Sequence, residues 1–395
     1  MGILQSSSRI ISLAKIAVIA RILTPADFGS FGIIVLVVGI SEIFSDLGIQ
    51  TFLIQSRSNI DRYISSGWAL QLLRGFFLCL LILLLAYPLS LFFKQPNLGS
   101  LIALGALIPL IKGFENLYVV KFQKELLFQK ELIYRLVIIL ADFATSVTLA
   151  IFTHSVIALV AGIIGSSLAG TVYSWIFIKE KPTFAVEINK IKEIMHSSKW
   201  ITANGILYYL TTQLDAIIIG RFLGTGNLGL YQISQKFSFT PMQEIADIIG
   251  KVSFPFYTKI SNDLNRFRQA YLKTLLGLGL IEIIIAVTLF SFSKTVIQIL
   301  LGPQWLETED LFKLFVTYGF LAAVIGTNGS FFLSIGRQDI LTKLSLFRLL
   351  IIIPLIIFGI QYWGVQGVVY ALIASLLLIA PFSFLNILLL LKKKT

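Results

Sequence analysis

The chain has 395 residues, 56% of them hydrophobic and only 13% charged, with a formal net charge of +12 and a mean hydropathy of +0.88. Soluble domains carry about 25% charged residues, so this composition excludes most cytoplasmic enzymes. A spanning helix needs about 20 apolar residues, so twelve would use roughly 240 and leave only short connections.

Hydrophobic runs predict helices near 4–23, 28–54, 67–93, 98–121, 131–153 and 155–178. After a polar stretch at 179–198, further helices are predicted near 199–223, 229–254, 270–293, 310–335, 341–360 and 364–391. Runs such as Phe76–Leu85 and Leu349–Phe358 show no period of two, which excludes barrel strands. Thr183–Ser198 places Phe184, Val186, Ile188, Ile191, Ile194 and Met195 among charges and reads as an interfacial amphipathic helix. The expected fold is an all-α integral membrane protein of about 12 transmembrane helices. They form two pseudo-symmetric six-helix lobes (1–180 and 199–395), joined by a cytoplasmic linker (181–198), around a central cavity.

Cys79 is the single cysteine, so no internal disulfide forms. His154 and His196 lack metal-ligand spacing and read as loop-end residues, so no metal site is expected. No stretch resembles a cleavable signal peptide. The opening Met-Gly-Ile-Leu-Gln-Ser fits a myristoylation pattern but already belongs to the first helix.

With both termini placed in the cytoplasm, 22 of the 32 Lys and Arg residues fall on cytoplasmic connections and five (Arg21, Lys94, Arg221, Lys294, Lys313) on the opposite side. Five more (Arg9, Lys15, Arg74, Lys112, Lys236) lie within helices. This is a positive-inside bias. The basic excess therefore meets lipid headgroups at membrane edges, and nucleic acid is not an expected partner. The location expected is the inner (plasma) membrane, multi-pass, with both termini cytoplasmic.

The two halves repeat at an offset of 200. Residues 19–31 (Ile-Ala-Arg-Ile-Leu-Thr-Pro-Ala-Asp-Phe-Gly-Ser-Phe) align without gaps on 219–231 (Ile-Gly-Arg-Phe-Leu-Gly-Thr-Gly-Asn-Leu-Gly-Leu-Tyr), with four of thirteen positions identical. Six helices separate the copies, so the repeats run parallel about an axis along the membrane normal, as in transporters. In the first helix Ser8, Ser12 and Lys15 form one stripe, and the offset maps it onto Tyr208, Thr212 and Asp215. A polar stripe on a spanning helix lines a wet cavity or glues helices together, and the cavity reading is preferred. On it, Lys15 and Asp215 face each other. Glu42 and Asp46, and likewise Glu244 and Asp247, share helical faces; each pair either binds a cation or proton or caps a helix end. Further buried charges are Arg74, Lys112, Glu115, Asp142, Lys236 and Glu282. Gly220–Gly226 lacks the Lys-Ser/Thr of a phosphate loop, and Glu307-Thr-Glu309-Asp310 reads as a solvated acidic loop. No catalytic residue is assigned.

Ala20-Arg21-Ile-Leu23-Thr-Pro25-Ala-Asp27-Phe28-Gly29 resembles the opening signature of Wzx-type polysaccharide exporters, within the multidrug/oligosaccharidyl-lipid/polysaccharide superfamily of flippases. Gln213–Gly224, continuing to Leu228-Gly229-Leu-Tyr231, resembles that family's mid-chain signature, and Phe254-Pro255-Phe256 and Leu301-Gly302-Pro303-Gln-Trp305 are similar to later markers. The resemblance implies alternating access and flipping of an undecaprenyl-pyrophosphate-linked oligosaccharide from the cytoplasmic to the outer leaflet. It also implies work alongside other polysaccharide assembly proteins and drive by a proton or sodium gradient, without a bound cofactor. The family commonly has fourteen helices, against the twelve predicted here, and the first helix begins abruptly at Met1.

A pyrophosphate crosses hydrocarbon only if a cationic cavity replaces its water. Lys15, Arg21, Arg74, Lys112, Arg221 and Lys236 are the expected substrate-binding residues. Glu42, Asp46, Asp215, Glu244 and Asp247 are the expected ion-coupling or cavity carboxylates. Alternative readings are a drug or small-cation antiporter, whose cavity would be acidic and aromatic, a membrane glycosyltransferase or polymerase, and a nonenzymatic assembly scaffold.

Overall fold

The computed structural model describes residues 2–45, 48–55 and 60–392. Every regular element among them is helical. The first nine are α1 (Gly2–Ala20), α2 (Pro25–Phe44), α3 (Ile49–Gln55), α4 (Asp61–Phe92), α5 (Leu98–Gly105), α6 (Leu107–Gly113), α7 (Val120–Lys124), α8 (Phe128–Thr153) and α9 (Ile157–Phe177). Then come α10 (Ile188–Phe222), α11 (Gly224–Ile260), α12 (Leu264–Ser291), α13 (Ser293–Leu300), α14 (Glu309–Ser334) and α15 (Gln338–Lys392). Short 3₁₀ turns sit at Leu117–Val119 and Pro303–Thr308.

Seven helices among the described residues are long and apolar enough to cross a membrane. The bent pair Leu98–Gly113 and Leu117–Lys124, at 69°, makes an eighth if counted as one span. Three predicted helices are not among these seven. In α1, Ile11–Ala20 is a shorter apolar helix. Helices α10 and α11 carry Asp215, Arg221, Lys236, Glu244, Asp247 and Lys251 along their length. The final pair is one element, α15, broken at Gly364 (φ 57, ψ −134). Gly359 and Gly367 flank that break, and a Cβ on Gly359 would lie 2.3 Å from the Gly367 carbonyl oxygen. The two arms thus meet backbone to backbone.

Other boundaries follow local chemistry. The predicted helix 28–54 is two elements, because Gly48 takes a positive φ (56) between α2 and α3. The predicted helix 98–121 is a chain of short helices bent at Asn116, whose side chain caps the 3₁₀ turn by accepting from the Tyr118 amide at 3.0 Å. Asn116 is fully buried, and its Nδ2 donates to the Ser174 and Glu180 carbonyls at 3.3 and 2.9 Å. The amphipathic stretch is continuous with the following span from Ile188 onward, as α10; no Gly or Pro interrupts 188–204. His154 occupies the left-handed C-cap of α8.

The chain divides into two compact units, Met1–Gly229 and Leu230–Thr395. In the first, α8 and α9 form a long antiparallel pair, α1 packs on α8, and α10 packs on α2, α3 and α4. One of its cores is Ile49, Leu53, Ile60, Tyr63, Ile64, Leu117, Val120 and Ile194. In the second, α14 packs on α12 and α15 around Tyr257, Phe267, Tyr271, Phe331, Phe332, Ile340 and Ile387. Large apolar side chains also cover the outside: Leu80, Leu84, Leu276, Leu280 and Ile284 are each 58% or more exposed. In water such faces would aggregate; in lipid they are the expected surface.

Candidate functional site

The repeated segments meet each other. Helix α2 starts with a capping box: the Thr24 hydroxyl accepts from the Asp27 amide at 3.3 Å, and Asp27 Oδ2 accepts from the Thr24 amide at 3.0 Å, with Pro25 at the first helical position. Two hundred residues on, Asn227 Nδ2 donates back to the Leu223 carbonyl at 3.0 Å as α11 begins. A Cβ on Gly29 would lie 1.8 Å from the Thr225 carbonyl oxygen, and one on Gly229 would lie 1.8 Å from the Pro25 carbonyl oxygen. Since 225 and 229 are 25 and 29 displaced by the repeat offset, the contact is reciprocal, the mark of a local two-fold. Only glycine permits backbones this close.

Within the first unit, α2, α4 and α6 enclose a cavity of about 340 Å³ that Glu42, Gln71, Arg74, Lys112 and Glu115 line. Lys112 Nζ lies 2.9 Å from Glu42 Oε1, with its side chain 48% exposed. Arg74 donates from Nε to the Ser45 hydroxyl at 2.9 Å and from Nη2 to the Glu42 carbonyl, so it bridges to the end of α2. Gln71 Nε2 donates to the Lys112 and Glu115 carbonyls at 2.9 and 3.3 Å, satisfying backbone groups freed where α6 ends. Tyr134 donates its hydroxyl to Glu115 Oε1. Glu42 and Lys112 also border a smaller apolar pocket of about 130 Å³ lined by Phe31, Ile34, Val38, Ile108 and Ile163. A charged chamber thus adjoins a greasy one across one ion pair. Such a site can hold an anionic head beside a hydrocarbon tail.

Three of the eleven predicted site residues, Glu42, Arg74 and Lys112, come together here. Lys15, Arg21, Asp215 and Arg221, in the same unit, are not in its lining. Lys15 pairs with Asp142 on α8 at 2.6 Å, not with Asp215 as the stripe suggests. The cause is the packing of α1 along α8, and Ser146 donates to the same carboxylate at 3.1 Å. Asp215 is buried and accepts from the Ala216 amide at 2.8 Å. Arg21 follows α1 and is exposed, and the Arg221 guanidinium lies over the Phe92 ring at 5.2 Å. Lys236 and Glu244 are half-buried on α11. Asp247 accepts from Gln243 Nε2 at 2.7 Å. Asp46 lies outside the described residues. The sequence reading missed Asn116 and Gln71, which satisfy backbone at the broken helix; a polar side chain next to a Gly-Phe-Glu break was the available signal.

The chain matches the polysaccharide biosynthesis protein family over residues 18–310. It belongs to that family. It is 25% identical over 360 residues to the lipopolysaccharide biosynthesis protein WzxC of Escherichia coli (strain K12), covering 91% of this chain and 73% of that one. It is 24% identical over 337 residues to the teichuronic acid biosynthesis protein TuaB of Bacillus subtilis (strain 168), covering 84% and 69%. Among solved structures, the lipid II flippase MurJ in an inward closed conformation superposes with a TM-score of 0.74 at 16% identity, covering 98% of this chain and 86% of that one. An inward-facing MATE-family multidrug transporter gives 0.67 at 14% identity, with full coverage of both. The fold of this family member is therefore that of the flippase and MATE transporters.

Proposed function

We propose that this membrane protein is a flippase that carries an undecaprenyl-pyrophosphate-linked oligosaccharide from the cytoplasmic to the outer leaflet, by alternating access, for surface polysaccharide assembly. In this reading twelve spans form two six-helix lobes about a central cavity, with both termini cytoplasmic, consistent with the 22-to-five basic bias. The family membership and the names of WzxC, TuaB and MurJ support the reading. Its work is transport rather than bond making.

The observation that carries it is the cavity among the apolar helices where Arg74 and Lys112 converge on Glu42. Moving an unpaired phosphate into hydrocarbon costs tens of kcal/mol in the limit, so a flippase needs fixed cations in the bilayer. Arg74 offers paired planar donors to phosphate, and Lys112 a mobile point charge. In the empty cycle Glu42 keeps Lys112 compensated; the pyrophosphate replaces that carboxylate as the partner. Glu42 thus works as a placeholder anion. Lys15, neutralised by Asp142, serves the fold; Arg21 and Arg221 are not in the lining of this cavity.

The test is leaflet-resolved transport of fluorescent lipid-linked oligosaccharide in vesicles containing the full chain. Wild type should move it, and Arg74→Ala and Lys112→Ala should slow it at least tenfold at equal protein content. Wild-type rates in both variants would remove the cavity from the mechanism.

A further inference from the structure

The second unit holds a cavity of its own, about 470 Å³, bounded by the second half of α11, by α12 and by α14. The repeat offset relates its walls to those of the first cavity: Ile43 maps to Gln243 and Arg74 to Thr274, each lining its own unit's chamber. The place is the same and the chemistry has changed. Where the first chamber carries a guanidinium, the second carries a hydroxyl. Ser253, Tyr257, Thr274, Thr327 and Ser330 contribute five hydroxyls to its lining.

Two further features point to an occupant. Tyr257 is 1% exposed, and its hydroxyl sits beside those of Ser253 and Thr274, so three hydroxyls cluster on one wall of the chamber. Opposite in kind, Gln243 Nε2 is locked onto Asp247 Oδ1 at 2.7 Å. That pairing fixes two planar groups in one orientation and leaves the second carboxylate oxygen and the amide carbonyl as acceptors. Room is provided by small residues: a Cβ on Gly326 would meet nothing within 4 Å, and one on Gly250 only the Ser330 hydroxyl at 3.5 Å. Phe254, 42% exposed, adds an apolar face.

We propose that this chamber is a carbohydrate subsite, taking one or two sugar residues of the transported lipid-linked oligosaccharide through their hydroxyls. The inference rests on the flippase reading above and assigns the glycan to a place distinct from the Arg74–Lys112 chamber. A vicinal diol matches an oriented carboxylate and carboxamide, because each sugar hydroxyl both donates and accepts. Five protein hydroxyls suit the same ligand; Lys251 also lines the chamber, a single cation where the first chamber sets Arg74 and Lys112 together for a pyrophosphate. Asp247 accordingly serves as a sugar acceptor, not as half of a cation site.

The experiment compares two probes in vesicles containing the full chain: undecaprenyl pyrophosphate alone, and the same lipid bearing the oligosaccharide extracted from the producing cells. Asp247→Asn weakens a charged acceptor, and Gly326→Leu fills the chamber while favouring the helix. Each should slow the glycan-bearing lipid about tenfold and leave the bare lipid within about twofold. Gly326→Ala, whose Cβ meets nothing, controls for folding and should match wild type. Equal loss on both probes, or no loss on either, overturns the subsite. A wild-type chain that moves neither probe removes the flippase reading itself, and the subsite with it.

Discussion

Replacing Gly29 by alanine would test whether the reciprocal repeat contact controls access. The new Cβ would sit 1.8 Å from the Thr225 carbonyl oxygen, whereas ordinary contact begins near 3.4 Å. The obstacle is backbone, so no rotamer change relieves it and the segments must separate by about 1.6 Å, at an overpacking cost of about 1–3 kcal/mol. At the upper figure this packed arrangement loses about a hundredfold in population. Gly229→Ala should do the same through Pro25, while Gly226→Ala, which meets nothing within 4 Å, is the matched neutral control. Leu23, 1% exposed beside this contact, reports on it. In a Cys79→Ser chain, Leu23→Cys should react slowly with a membrane-impermeant maleimide, and Gly29→Ala should speed that reaction at least tenfold. Equal labelling with and without Gly29→Ala would refute the idea that this approach keeps Leu23 covered.

Three other outcomes are expected. Lys15→Met, which leaves Asp142 without its counter-ion in the bilayer, should destabilise by about 3–5 kcal/mol, and Lys15→Met with Asp142→Asn should recover most of it in thermal unfolding. Asn116→Ala removes one acceptor and two donor interactions at the bend of the broken helix; a loss of about 2–4 kcal/mol is expected, read as a lower melting temperature in detergent. Glu282 is fully buried on α12 with neither carboxyl oxygen partnered among the described residues, so Glu282→Leu should raise the melting temperature by removing a desolvated polar group worth about 1–3 kcal/mol; a fall would show that the carboxyl is engaged.

Much of the fold was legible because lipid imposes a plain code: apolar runs, short breaks, basic edges. The repeat was legible from four identities, and Gly29 and Gly229 show why those positions recur. What the sequence could not supply was partnership. Lys112 and Glu42 are 70 positions apart, and Lys15 and Asp142 are 127 apart. Helical periodicity says which face a charge lies on, not which neighbour that face meets. The stripe therefore pointed Lys15 toward Asp215, while the packing of α1 on α8 gave it Asp142. Breaks were misjudged where a lone glycine, Gly48, interrupts an apolar run, since its positive φ leaves no trace in hydropathy.

The 35 residues of α10 form one uninterrupted helix, a rod of about 52 Å. Near its start, Tyr63 donates its hydroxyl to the Glu193 carboxylate at 3.0 Å; midway, Tyr209 donates to the Leu36 carbonyl at 3.0 Å; just past its far end, after Gly224 (φ 83), α11 carries the Gly229 junction. A rod pinned at two heights cannot tilt at one without moving the other. A push on the amphipathic foot, by a lipid headgroup or a partner protein at the membrane surface, would reach the opposite junction by leverage alone, with no charge or ligand travelling between them.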